Sequence, residues 1–244
     1  TMFSGQIEDY ILFEDKEIIV CRKPAGIAVQ NARIGAMDLE SSMKNYLAMQ
    51  DGGGRRIPYL AVIHRLDQPV EGILVFGKTP EAAKSLSAQI TAGKMEKIYL
   101  AVTYGKQAEA GKKEKVLEDY LKKDGKSNTS SVVNAHTPGA KKARLSYEVL
   151  GEAVDAISGK KKWLLRIHLD TGRHHQIRVQ MAHAGMPLAG DRKYGAGTNV
   201  TIGAGSLALC AASLTFFHPV TGKVMKFVTK PEGAEFKGIS IPQM

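Results

Sequence analysis

At 244 residues and 43% hydrophobic content, the chain is long enough for one large domain or two small ones and apolar enough to build a substantial core. No apolar run approaches a membrane span, the N-terminus lacks the basic-then-apolar pattern of a signal peptide, and two cysteines, Cys21 and Cys210, are too few soft ligands for a structural zinc; they are expected to be buried free thiols in a reducing cytosol. Lys and Arg outnumber Asp and Glu by 34 to 24, and this net charge of +10 favours a polyanionic partner, since each cation that meets a phosphate releases counterions.

Ile18-Ile19-Val20 is β-branched, and Glu17 to Cys21 is expected as a strand broken by Lys23-Pro24-Ala25-Gly26. Asp38 can cap a helix with Leu39, Met43, Tyr46 and Leu47 on one face, ending at Gly52-Gly53-Gly54. Two apolar runs follow, Leu60 to Ile63 and Ile73 to Phe76, and His64-Arg65-Leu66-Asp67 lies between them. Thr79-Pro80-Glu81 has the chemistry of a helix start: a hydroxyl cap, a proline in the first turn and an acid at the positive dipole end. Gly93 stops that helix. Glu96 to Thr103 is expected as a strand with Ile98, Leu100 and Val102 on one face and Tyr99, Ala101 and Thr103 on the other, outward one.

From Lys106 to Lys142 the chain is lysine-rich and polar, and is expected to be a mobile excursion, with a hairpin as one form it could take, rather than a domain. Strands are expected at Leu145 to Leu150 and Trp163 to Leu169. A helix is expected from His174 to Ala184, closed by Gly185, with a hairpin from Ala208 to Val228 about Pro219-Val220-Thr221-Gly222. Hairpins mixed with isolated helices imply an α+β fold with a mixed, largely antiparallel central sheet and flanking helices.

The charged turn ending in Asp67 is costly to hold near a core unless its charges are paired. A carboxylate there can be a nucleophile, a general base or a metal ligand, but on local sequence alone a turn-stabilising aspartate bonded to backbone amides outweighs these. Metal spacing is absent: there is no HExxH, and on a helix the neighbours His174 and His175 point about 100° apart. His64 beside an apolar run fits a structural role, and Arg65 can pair with Asp67 or with phosphate. Tyr99 can stack on a base, or be an ordinary strand tyrosine. Ile177, Met181 and Ala184 share a helical face with Arg178 beside them; a partly buried arginine requires a carboxylate, for which Asp67 is a candidate, and the alternative is an arginine that binds phosphate or faces solvent. Arg173 and Lys193 suit phosphates, and Asp191 either orients basic residues or shapes its turn.

The order of these motifs carries more than any one of them. Arg22-Lys23-Pro24-Ala25-Gly26, His64-Arg65-Leu66-Asp67, Glu96-Lys97-Ile98-Tyr99-Leu100-Ala101, and Gly172-Arg173-His174-His175-Gln176-Ile177-Arg178 continued by Gly185-Met186-Pro187-Leu188-Ala189-Gly190-Asp191 resemble the RluA-type family of RNA pseudouridine synthases from residue 22 to residue 195. The resemblance implies an isomerase that converts uridine in RNA to pseudouridine without a cofactor or metal. It implies Asp67 as the catalytic aspartate, Tyr99 as the tyrosine that stacks on the uracil, and Arg178 as the basic partner of the aspartate. Arg65 matches the residue that enters the RNA stack where the base flips out, and Ile177 the residue on the other face of the base; His64 and Arg173 join them as substrate-binding candidates. Val70 and Glu71 stand where the family has small hydroxyl residues, and Gln180 where a histidine is common, which bears on RNA preference.

The expectations are therefore a single catalytic domain over 1–244, with the Lys-rich excursion at about 106–142 and no separate N-terminal RNA-binding module. The partner is structured RNA, ribosomal or transfer, with no membrane, and the chain is a cytoplasmic monomer. The rival readings are a non-catalytic RNA-binding protein on the same fold and a metal-dependent nuclease.

Overall fold

The computed structural model describes residues 5–31, 37–52, 56–104, 114–156, 158–195 and 206–244. The fold is α+β, built on a largely antiparallel sheet. The chain divides into two compact units, Thr1–Glu96 with Ala211–Thr229, and Lys97–Cys210 with Lys230–Met244.

In the first unit, β1 (Ile11–Glu14), β2 (Ile18–Lys23), β4 (Glu71–Gly77) and β10 (Leu209–Phe217) follow one another across the sheet. The short β3 (Ala61–Val62) lies on β4, and β11 (Val224–Val228) on β10. All seven residues of β4 are buried, as a continuous apolar run predicts for a strand covered on both faces. Of the run from Leu60 to Ile63 only two residues pair as a strand, because the chain must leave the ladder to make the charged turn. Helix α1 (Leu39–Gln50) is capped by Asp38, whose Oδ1 accepts the Ser41 N–H at 2.8 Å. Helix α2 (Pro80–Thr91) starts at Thr79, whose Oγ1 accepts the Ala82 N–H at 3.1 Å. Ala82 and Leu86 of α2 pack with Ile18, Val20, Ile73, Val75, Leu214 and Phe216 from the sheet. Each Val, Ile, Leu or Phe side chain among them contributes about 1.5–3 kcal/mol by leaving water.

Gly72 sits at the second position of β4 with φ +133°, where L side chains are strained. A Cβ there would lie 2.4 Å from the Ala211 carbonyl oxygen and 2.5 Å from its nitrogen, so β10 closes on bare backbone. Gly72→Ala is expected to cost about 3 kcal/mol from strain and overpacking together, read as a lower urea midpoint at unchanged slope. A shift under about 1 kcal/mol would mean that β10 can move aside.

In the second unit the order is β5 (Glu96–Thr103), β9 (Lys161–Leu169), β8 (Lys141–Val154), β6 (Lys115–Asp124) and β7 (Thr129–Val133). The lysine-rich stretch, described from residue 114 onward, forms the hairpin β6–β7 and pairs along β8. Leu121 on β6 anchors it, with Val132 of β7, against Ala143 of β8 and Val179 of α3 (Gln176–His183). Helix α3 starts two residues later than the sequence predicts. Its C-terminus closes as expected: Gly185 is at φ +80°, and the Met186 N–H donates to the Met181 carbonyl at 2.9 Å.

Candidate active site

In the first unit the carboxylate of the charged motif lies on a turn, with the Val70 N–H donating to the Asp67 carbonyl at 2.9 Å. Leu66 is buried beneath it, Asp67 is half-buried and Arg65 is exposed. His64 is directed at β4, where its Nε2 accepts the Val75 N–H at 3.2 Å and ties the start of the turn to the sheet.

The other side of the turn is held by Gln68. Its carbonyl accepts the Gly26 N–H at 2.8 Å and the Lys23 ammonium at 3.0 Å, and its side-chain Nε2 donates to the Gly26 carbonyl at 2.9 Å. Lys23 is 0% exposed, and its Nζ also donates to the carbonyls of Pro24 at 3.0 Å and Ile27 at 2.7 Å. Three acceptors satisfy the three ammonium hydrogens, which is what permits a lysine at zero exposure. Burial pushes Lys23 down to about 8, and the negative charge of Asp67 opposes that fall. The Lys-Pro-Ala-Gly motif is thus the clamp of the aspartate turn. The sequence carried the motif but no sign that its lysine is buried, since lysine is the residue least expected there.

Glu71, which stands in the altered segment after Asp67, is 5% exposed and lies 3.4 Å from Arg22 Nη2. Cys21 is buried in β2 and its thiol is pushed up to about 12 by burial, which removes it from thiolate chemistry.

In the second unit Tyr99 is 7% exposed, so its side of β5 is not the outward face the alternation implies. β5 pairs with β9 along one edge, Val102 exchanges backbone bonds with the 189 and 208 segments at the other, and the residues of both faces are buried from Tyr99 onward. Ile177 is 4% exposed, and Arg173 is exposed with its Nε donating to the Lys142 carbonyl at 2.8 Å.

Arg178 is 6% exposed and forms a two-bond ion pair with Asp191. Its Nε donates to Oδ2 at 2.9 Å and its Nη2 to Oδ1 at 2.8 Å. Asp191 is 1% exposed and also accepts the N–H groups of Lys193 and Tyr194, at 3.1 and 3.2 Å. The open alternative for Asp191 closes in both senses: it orients an arginine and shapes its own turn. The Tyr194 ring lies against the Arg178 guanidinium, 5.1 Å from centroid to Cζ.

Gln176 and Gln180 form a buried polar chain behind Arg178. Gln176 Nε2 donates to Gln180 Oε1 at 3.0 Å, and Gln180 Nε2 to Asp119 Oδ2 at 2.8 Å. Gln180, which stands in place of a histidine, therefore fastens α3 to β6.

His174 and His175 do not point apart. His175 precedes α3 with φ +53°, a left-handed backbone, and its ring stacks on His174 with centroids 3.7 Å apart. His174 Nε2 faces Asn128 Oδ1 at 3.1 Å and its Nδ1 faces Ser130 Oγ at 2.8 Å; an amide oxygen only accepts, so the proton is on Nε2. His175 Nδ1 lies 2.6 Å from the Tyr194 hydroxyl. Burial first, then the cations Lys123, Lys193 and Arg178, push His174 down to about 4. Burial, then Arg178, His174 and Lys193, push His175 down to about 3.

An unfolded histidine takes its proton near 6.5, whereas these two resist it until far lower. Their contribution to stability is full above about 6.5 and is lost as pH falls towards 4 and 3. The melting temperature is expected to drop between pH 6.5 and 4.5, and His175→Asn, a residue that tolerates the left-handed backbone, should flatten that drop. A wild-type profile already flat over the window contradicts this.

Among the described residues no cluster of three or more His, Cys, Asp or Glu side chains is placed to hold a metal, and no helix is long and apolar enough to cross a membrane.

A family model described as RNA pseudouridylate synthase matches residues 17–183. The ribosomal large subunit pseudouridine synthase D of Xylella fastidiosa is 31% identical over 236 residues, which cover 89% of this chain and 64% of that protein. The ribosomal large subunit pseudouridine synthase C of Pasteurella multocida is 32% identical over 241 residues, covering 96% and 68%. This chain thus spans a little under two thirds of the length of the synthase D relatives it matches first. The structure of human RNA pseudouridylate synthase domain containing 4 superposes with a TM-score of 0.71 over 93% of this chain and 90% of that one, at 21% identity, which is a likeness of fold. With 17–183 matched and more than 30% identity over most of its length, this chain belongs to the RNA pseudouridylate synthase family.

Proposed function

We propose that the chain is an RNA pseudouridine synthase acting on large-subunit ribosomal RNA, with Asp67 as the nucleophile. The observation that carries this is the order Asp67, Tyr99, Ile177, Arg178 within the matched 17–183, with the Asp67 turn clamped by a buried cation. The names of the relatives favour ribosomal over transfer RNA.

The reaction breaks the C1′–N1 glycosidic bond, turns the uracil, and joins C1′ to C5. The C5 proton leaves and N1 regains one, so atoms balance with no co-reactant. The base must first leave the stack, at a cost of a few kcal/mol. Exposed Arg65 is proposed to fill the gap it leaves, and exposed Arg173 to meet phosphate. Asp67 attacks C1′ or stabilises the positive charge developing there, as carboxylates do at glycosidic centres. Tyr99 and Ile177, both buried, are proposed to hold the detached uracil away from water, without which the sugar would be hydrolysed. Arg178, whose guanidinium is held by Asp191, is proposed to take the role that the family pattern gives the basic residue toward its catalytic aspartate. His64 contributes by fixing the turn.

The test uses unmodified transcripts of large-subunit ribosomal RNA and of transfer RNAs carrying tritium at uridine C5. Each turnover replaces the C5–H bond and releases one tritium. Release from the ribosomal transcript is expected, unaffected by a chelator. Release from transfer RNA alone would move the substrate, and tight binding without release from any transcript would return the chain to a non-catalytic RNA-binding role.

A further inference from the structure

We propose that Tyr194 is a positioning residue for Arg178: its ring fixes the tilt of the guanidinium, and its hydroxyl is pinned by strand β7. The proposal rests on the reading of Arg178 as the partner of the nucleophile.

Two parallel bonds to Asp191 fix the guanidinium within its own plane but leave it able to rock out of that plane about the axis joining the two groups. The Tyr194 ring, 5.1 Å away, closes that freedom from one face. The ring in turn has little freedom of its own. Its backbone N–H is bound to Asp191 Oδ1 at 3.2 Å. Its hydroxyl accepts the Ser130 N–H of β7 at 2.9 Å and is hydrogen-bonded to His175 Nδ1 at 2.6 Å. Its ring sits edge-on to His175 and packs against the cluster of Leu121, Ala143 and Val179.

A tyrosine that only filled space would need one partner for its hydroxyl. This one has two, from different elements, and one of them is the lysine-rich hairpin. Lys193 adds a second tie to the same hairpin, its Nζ donating to the Asn128 carbonyl at 2.9 Å. The seat of β6–β7 therefore bears, through Tyr194, on the plane of the Arg178 guanidinium. This gives the hairpin a duty beyond supplying positive charge.

The test compares wild type with Tyr194→Phe, Tyr194→Leu and Arg178→Ala. Single-turnover tritium release from the C5-labelled large-subunit ribosomal transcript is measured at saturating protein, with RNA affinity measured separately. Phenylalanine keeps the ring but not its pin, and leucine removes both. Release is expected to slow about threefold in Tyr194→Phe, about tenfold or more in Tyr194→Leu and about a hundredfold in Arg178→Ala, with RNA affinity within twofold of wild type throughout. A loss caused only by weakened folding would lower affinity and rate together and would overturn the proposal. So would wild-type rates in both Tyr194 variants while Arg178→Ala is slow. If Tyr194→Leu does not fold, Tyr194→Phe decides, and a wild-type rate in it overturns the proposal. A wild-type rate in Arg178→Ala instead defeats the reading of Arg178, and this proposal with it.

Discussion

Replacing Asp67 with alanine or asparagine is expected to abolish pseudouridine formation, lowering the rate by about 10⁴-fold or more, as removal of a nucleophile does. Asparagine is the sharper test, because it keeps the size and hydrogen-bonding reach of the side chain but has neither the charge nor the lone-pair strength to attack C1′. The turn itself should survive. The Gln68 carbonyl, the Gly26 backbone, the Lys23 ammonium and His64 on Val75 all support it and are present in either variant. RNA affinity should therefore stay near wild type while tritium release disappears. Loss of the carboxylate also removes the charge that opposes the burial of the Lys23 cation, so Lys23 should titrate lower in the variant than its wild-type value of about 8. Normal tritium release from Asp67→Asn would end the assignment of Asp67, whatever the fold.

Asp191→Ala is expected to destabilise the protein by about 3–5 kcal/mol, the cost of stripping a buried ion pair of one partner. Arg178 would stay 6% exposed and lose the carboxylate that takes two of its N–H groups, while the backbone N–H groups of Lys193 and Tyr194 would lose their acceptor. The double variant Asp191→Ala/Arg178→Met should be more stable than Asp191→Ala alone, because removing both charges leaves none to be solvated by the protein interior. Urea midpoints for the four corners of that cycle measure the coupling directly. A loss below about 1 kcal/mol in Asp191→Ala would show that water enters the site freely and that the pair is in effect a surface one.

These two sites differ in how far the sequence exposed them. The aspartate turn was visible because it interrupts two apolar runs, and its motif recurs in a known family together with those around Tyr99 and Arg178. Its clamp was not visible. Nothing in Arg22-Lys23-Pro24-Ala25-Gly26 distinguishes a lysine in solvent from one whose ammonium faces three carbonyls, since the Gln68 acceptor arrives from 45 residues away. Arg178 was recognised as an arginine requiring a carboxylate. Its partner within the second unit, Asp191, lies 13 residues on, beyond the end of the helix, where neither helical nor strand spacing applies. The stacking of His174 on His175 is not legible in the sequence, because the two residues precede α3 and the left-handed backbone at His175 departs from helical geometry.

Local rules therefore determined what depends on neighbours in the chain. The Asp38 and Thr79 caps, the glycine stop at Gly185, the extent of β5 and the α+β class follow from spacing, rotamers and capping chemistry that act over three or four residues. The tertiary structure alone decided what depends on burial. It covered the face of β5 that carries Tyr99, put Lys23 at zero exposure, set the lysine-rich stretch as a hairpin against α3, and gave Tyr194 its two hydroxyl partners. The reason is physical. A side chain's exposure and charge state are set by whatever the rest of the chain brings against it, and the amino-acid order records those encounters only where a motif has repeated them.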